Sequence, residues 1–181
     1  MRKMSARKLA LCAMIAAIYA AVCLALAPIS YGMLQVRAAE ALTLLPVYST
    51  PAVWGVTLGC AISNLIGFLT GANPLVLDVY VGTAATCLAA LCSRALRKYT
   101  IRGLPVLSAV PPVLVNVIVI GLELCFLETG GFSWNVFLLN ALYIGAGQAI
   151  ACFGLGLPLI YILNKTGIAH KYLAGLSADY L

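Results

Sequence analysis

Apolar residues run in long stretches along this chain, and polar residues fall between the stretches or near their ends. Six hydrophobic segments are drawn over residues 8–28, 36–50, 52–70, 75–97, 104–127 and 134–164. Runs of this kind predict membrane-spanning helices, because a bilayer core about 30 Å thick takes about 20 apolar residues in an α-helix. The second segment is short and carries polar residues. The third begins at Pro51, directly after it, which predicts a tight hairpin. The last is long, and Gly154, Gly156 and Pro158 predict a bend in it. The expected fold is an all-α membrane protein of six transmembrane helices in one integral domain, residues 1–181.

Composition agrees. Of 181 residues, 64% are hydrophobic and 9% charged, against about 25% charged in a soluble domain. Arg2, Lys3, Arg7 and Lys8 followed by an apolar run resemble a secretory leader. The run from Leu9 to Pro28 is longer than the roughly 7–15 residues of a leader's core, so a retained helix is expected. Charge then sets orientation. Ten basic residues fall in three regions: Arg2, Lys3, Arg7 and Lys8; Arg94, Arg97, Lys98 and Arg102; Lys165 and Lys171. With six spans these regions share one side, and the excess of Lys and Arg marks it as cytoplasmic. Both termini are expected there.

Polar residues within the apolar segments then acquire a depth. Gln35, Arg37 and Glu40 open the second segment from the outside. Asn64, Asp78, Glu123, Asn140 and Tyr143 fall in the outer halves of their segments, and Asn116 and Gln148 lie nearer the middle. A charge at membrane depth costs on the order of 3 kcal/mol, so it faces the bundle interior and marks a pathway or a site. Asn116 and Glu123 are seven apart and share a helix face; Arg37 and Glu40 are three apart and can do the same. The plainer readings are an Arg37–Glu40 pair at a helix mouth and hydrogen-bonding glue between helices. Tyr31, Tyr80, Trp134 and Tyr143 lie near the same depth, as interface anchors or as stacking surfaces. Ala13, Ala17 and Ala21 recur every four residues on the first segment, a stripe that lets another helix approach closely.

Chemistry other than binding has little support. The seven cysteines lie in apolar runs with no Cys-x-x-Cys pair, and the one histidine, His170, lies in the polar tail. That leaves no metal cluster and no nucleophile–base pair in the membrane. No phosphate-binding Gly-x-x-x-x-Gly-Lys-Ser/Thr loop is present, so the chain itself does not hydrolyse ATP by that motif. A self-contained carrier usually shows internal repeats, which are not evident here.

The stretch Gln-Val-Arg-Ala-Ala-Glu-Ala-Leu-Thr-Leu-Leu-Pro at 35–46 resembles the signature of the QueT family. Ala-Ile-Ser-Asn-Leu-Ile-Gly at 61–67, Asn-Val-Ile-Val-Ile-Gly-Leu-Glu-Leu at 116–124 and Gly-Leu-Pro-Leu at 156–159 extend the likeness over nearly the whole chain. The resemblance implies a substrate-binding (S) component of an energy-coupling factor (ECF) importer for queuosine precursors. It would work with a transmembrane coupling subunit and two ATPase subunits, with no cofactor and no nucleic acid. It also implies that the alanine stripe docks on the coupling subunit. The alternatives are an S component for another small vitamin or nucleobase-like ligand, or a self-contained carrier.

The precursors preQ0 and preQ1 are 7-deazaguanines, whose edge offers two donors and one acceptor. A carboxylate, Glu123 or Glu40, suits the donors; Arg37, Asn116 or Gln148 suits the acceptor. Glu40, Asp78 and Glu123 against Arg37 give a net negative cluster, which favours the aminomethyl cation of preQ1 over the neutral nitrile of preQ0. Asp78 is expected to pair that ammonium.

Overall fold

The computed structural model describes residues 5–31, 36–73 and 75–173. Among them it is almost wholly helical, with no β-strand and one isolated bridge, Ile101 to Leu104. The long helices are α1 (Ala6–Ala25), α2 (Thr50–Leu69), α3 (Val81–Ala95), α4 (Val110–Thr129), α5 (Trp134–Ala149) and α6 (Leu157–Lys165). A seven-residue π-helix, Ile150–Gly156, joins α5 to α6 without a break. Among the described residues five stretches are long and apolar enough to cross a membrane: Ala6–Ala25, Thr50–Leu69, Leu77–Lys98, Val106–Thr129 and Trp134–Lys165.

The second segment departs from expectation. It is not an α-helix over 36–50 but a ten-residue 3-10 helix, Ala38–Val47, here called the return helix. Neither composition nor helix propensity forecasts this winding. Position explains the need for a reversal. α1 and α2 run parallel: Gly55 meets Cys12 and Ile15, and Gly59 meets Ala16 and Tyr19. The chain must therefore travel back between them. The return helix does so beside α3, with Arg37 at the start of α3 and Pro46 at its end. A 3-10 helix rises about 2.0 Å per residue, against 1.5 Å in an α-helix, so ten residues reach further. The hairpin to α2 is as tight as expected, with Ser49 as N-cap and Pro51 in the first turn.

Packing is close on both sides of this helix. α1 and α2 meet through Gly55 and Gly59, where a Cβ would lie 2.8 Å from Ile15 Cβ and 2.6 Å from Tyr19 Cβ. Small residues four apart let two membrane helices approach this way. The main core runs from Leu11, Ile15 and Tyr19 through Leu44 and Val56 to Cys152 and Ile160. A smaller cluster of Ala85, Ile120 and Ile144 sits between α3, α4 and α5. The π-helix brings Gly156 against the return helix, where a Cβ would lie 2.7 Å from a Leu44 methyl. α4 starts with Pro111 and Pro112 and stops at Gly130, whose φ of 66° is the left-handed cap that glycine adopts freely. The start of α1, the α3–α4 connection and the end of α6 lie at one end of the bundle, here called the inner end. The opposite, outer end holds the polar cluster.

Candidate functional site

Arg37 immediately precedes the return helix and is 6% exposed. Its Nη2 donates to Asp78 Oδ2 at 2.6 Å and to Asn64 Oδ1 at 3.0 Å. Asn64 Nδ2 donates to the Asp78 carbonyl at 2.8 Å, and Asn73 Nδ2 to Asp78 Oδ2 at 2.9 Å. The Tyr31 ring lies 5.1 Å from Arg37 Cζ, within cation–π range. The Tyr31 hydroxyl donates to the Ser63 carbonyl at 2.8 Å, and burial pushes its pKa up to about 12, so it stays a neutral donor. Gly82 makes room: a Cβ there would lie 2.2 Å from Asp78 Oδ1. This cluster ties four segments together at the outer end.

Glu40 lies one turn into the return helix and is 1% exposed. Its Oε1 accepts from the Tyr19 hydroxyl of α1. Its backbone carbonyl accepts from Thr43 Oγ1 at 2.6 Å and lies 3.9 Å from Cys152 Sγ, which is 3.8 Å from Gln148 Oε1. Arg37 and Glu40 are both buried, but each has its own partner and they do not pair with one another.

Four buried atoms of charged side chains have no hydrogen-bond partner among the described residues: Arg37 Nε, Glu40 Oε2, Asp78 Oδ1 and Glu123 Oε1. Buried polar groups are nearly always satisfied by protein, water or ligand. Glu123 also borders a cleft of about 300 Å³, between Leu77 and Val81 on one side and Val119, Leu122 and Phe126 on the other. Its walls are apolar apart from Glu123, and its volume is at the lower end of the range of small-molecule sites.

The other expected residues divide. Asn116 is buried on the same helix as Glu123, its Nδ2 bonded to its own helix at Pro112 O, 3.0 Å away. Gln148 is buried against Cys152. Asn140 belongs to the outer rim instead, where its Nδ2 lies 3.4 Å from Glu128 Oε1. Tyr143 is half-buried on α5. Gln35 lies outside the described residues. Asp78 is already held by Arg37 and Asn73, so its Oδ2 is not an open reader of a cation. Tyr80 and Trp134 are 74% and 66% exposed, which fits a surface belt and not a pocket. Tyr31 stacks on Arg37. Ala13, Ala17 and Ala21 all lie on the exposed face of α1, opposite Leu11, Ile15 and Tyr19.

Two participants escaped the sequence reading. Asn73 precedes Pro74 and reads as an ordinary turn. Tyr19 is a lone aromatic in an apolar helix. Its one signal is its spacing from Ile15 and Cys23, four residues to either side on the buried face.

A model of the QueT transporter family matches residues 9–165. The chain belongs to that family. No curated protein and no solved structure matches it. Membership in the QueT family points to a transporter rather than an enzyme, a multi-pass membrane protein that handles a small molecule. The site suits that work. It offers oriented donors, buried carboxylates and an apolar cleft, groups that suit binding rather than reaction.

Proposed function

We propose that this QueT-family protein is the S component of an ECF importer in a prokaryotic plasma membrane. It captures a queuosine precursor at the outer end of the bundle, preQ1 in preference to preQ0. A transmembrane coupling subunit and two ATPase subunits then drive uptake. The chain makes six passes, with the return helix as the second, and both termini are cytoplasmic.

One observation carries the reading: Glu123 holds an unpartnered carboxylate oxygen beside a cleft of about 300 Å³. A buried carboxylate left open is costly and calls for a donor or a cation. Glu40 Oε2 is a second open acceptor. With Arg37 and Asp78 paired to each other, these two acids carry the negative charge of the cluster. The ammonium of preQ1 is therefore assigned to Glu123, not to Asp78, and the ring-edge donors to Glu40.

Isothermal calorimetry on the purified protein tests this. A hydrogen bond to a charged group contributes about 1.5–3 kcal/mol, so preQ1 should bind roughly ten- to a hundredfold tighter than preQ0. Equal affinities would overturn the charge argument, and binding of neither would overturn the ligand class. Reporter fusions at Arg102 and Glu128 test the topology; reports from the same side would overturn six passes.

A further inference from the structure

The return helix is held to α3 by an arginine at each end, and the two arginines point in opposite directions. At the outer end Arg37, the residue before the return helix, reaches Asp78 in the short turn Leu77–Val79 that leads into α3. At the inner end Arg94, in the last turn of α3, reaches back: its Nη1 donates to the Pro46 carbonyl at 2.9 Å. The two elements run side by side but differ in length. From Asp78 to Arg94 the chain climbs about 24 Å at the α-helical rise. From Arg37 to Pro46 it climbs about 18 Å at the 3-10 rise. The long arginine side chains make up the difference.

The inner contact has a physical logic of its own. The last carbonyls of a helix have no partner within it and form the negative end of its dipole. Arg94 supplies a charged donor to one of them. Arg97 Nη1 in turn donates to the Arg94 carbonyl at 3.1 Å. A ten-residue 3-10 helix is long for its kind, since runs beyond 3–4 residues are uncommon. Its register therefore depends on what holds its ends.

The geometry points to Arg94 as a positioning residue for the ligand site at the far end of the bundle. By fixing Pro46, it fixes the axial register of the return helix on α3. That register sets where Arg37 and Glu40 stand relative to Asp78 and Glu123. Arg94 touches no ligand; it acts through the helix. The inference rests on the reading that Arg37, Glu40 and Glu123 form the ligand site.

The test compares wild type, Arg94→Ala and Arg94→Lys in detergent, with preQ1 as the probe. Calorimetry gives affinity, and hydrogen–deuterium exchange follows residues 38–47. Arg94→Ala is expected to weaken preQ1 at least about fivefold and to raise exchange over 38–47 while α1 and α4 stay protected. Arg94→Lys, which keeps a charged donor, is expected to recover at least half of the lost affinity on a logarithmic scale. Wild-type affinity in Arg94→Ala would overturn the inference. So would an equal loss in Arg94→Lys, or a rise in exchange spread over the whole bundle, which marks a merely structural role. Failure of wild type itself to bind preQ1 would instead strike the ligand assignment, and the exchange pattern would still decide the role of Arg94 in holding the return helix.

Discussion

On the wall built by the return helix and α3, each charged group has at least one partner: Arg37 is bonded to Asp78 and Asn64, and Glu40 to Tyr19, while Arg37 Nε, Glu40 Oε2 and Asp78 Oδ1 stay open. On the wall built by α4, Glu123 keeps an oxygen with no partner among the described residues, beside an open cleft. Both walls bury acids in a bilayer-sized bundle, so burial alone does not separate them. The difference is commitment. The first wall is a preorganised frame whose charges hold elements together. The second presents Glu123, a carboxylate with no side-chain hydrogen bond among the described residues and so open to a donor from outside the chain. A ligand that binds there gains from a site already assembled, which lowers the ordering cost of binding.

Breaking the frame should have the largest effect. Arg37→Ala leaves Asp78 buried without its counter-ion, and removing one partner of a buried pair costs about 3–5 kcal/mol. The variant is expected to melt well below wild type and to lose ligand binding with it. Thermal unfolding in detergent checks this. An unchanged melting temperature would mean that the Arg37–Asp78 pair is no part of the frame.

Tyr19→Phe comes next. It deletes the donor to Glu40 and leaves a fully buried carboxylate with both oxygens open. Hydrogen bonds to charged groups contribute about 1.5–3 kcal/mol, and the loss should appear as a lower melting temperature. Bound preQ1 should offset part of it, because a ligand that binds only the folded state raises apparent stability. If Tyr19→Phe melts like wild type, Glu40 is no more committed than Glu123, and the contrast between the walls disappears.

Glu123→Gln should do the reverse of both. Stability should hold or rise, since the substitution removes a buried charge that has no partner for one oxygen. Affinity for preQ1 should fall at least about tenfold, or 1.4 kcal/mol. Glutamine sets an amide donor against the ligand's ammonium and offers one carbonyl where the carboxylate had two oxygens. Calorimetry paired with a melt separates the two effects. Unchanged affinity would remove Glu123 from the site.

Much of this arrangement was legible in the sequence. Five of the six drawn segments became membrane-length helical stretches, because long apolar runs have few other stable states. Arg37, Glu40, Asn64, Asp78, Asn116, Glu123 and Gln148 are all buried, as the cost of charge and amide groups at membrane depth requires. Pairing was not legible. Arg37 had Glu40 three residues away and chose Asp78, 41 residues distant, because the reversal between two parallel helices carries it to the start of α3. Nor was the 3-10 winding of Ala38–Val47. Ala and Leu favour the α-helix in isolation; here the return leg is short, and Pro46, which has no N–H, interrupts α-type bonding near its end. Asn140 shows the limit of depth as a guide: its depth matched the cluster, but its helix turns it toward Glu128 on the rim.

The smallest effect on the two walls should come from the opposite side of the molecule. Ala13, Ala17 and Ala21 lie on the exposed face of α1, while Leu11, Ile15, Tyr19 and Cys23 fill the buried one. Ala17→Trp therefore adds bulk where nothing in the chain is displaced. Tyr19, two residues on, points inward to Glu40, so a change propagated through α1 would reach the frame and register in ligand affinity. If the stripe instead receives a coupling subunit, the tryptophan fills the groove that small side chains leave for a neighbouring helix. The expected result is preQ1 affinity within about twofold of wild type, a difference of about 0.4 kcal/mol, together with loss of uptake in cells that supply the partner subunits. Normal uptake would show that the stripe is ordinary lipid-facing surface. Lost affinity would show that α1 is part of the frame on both of its faces, and the division between a committed wall and an open one would then extend through the whole helix.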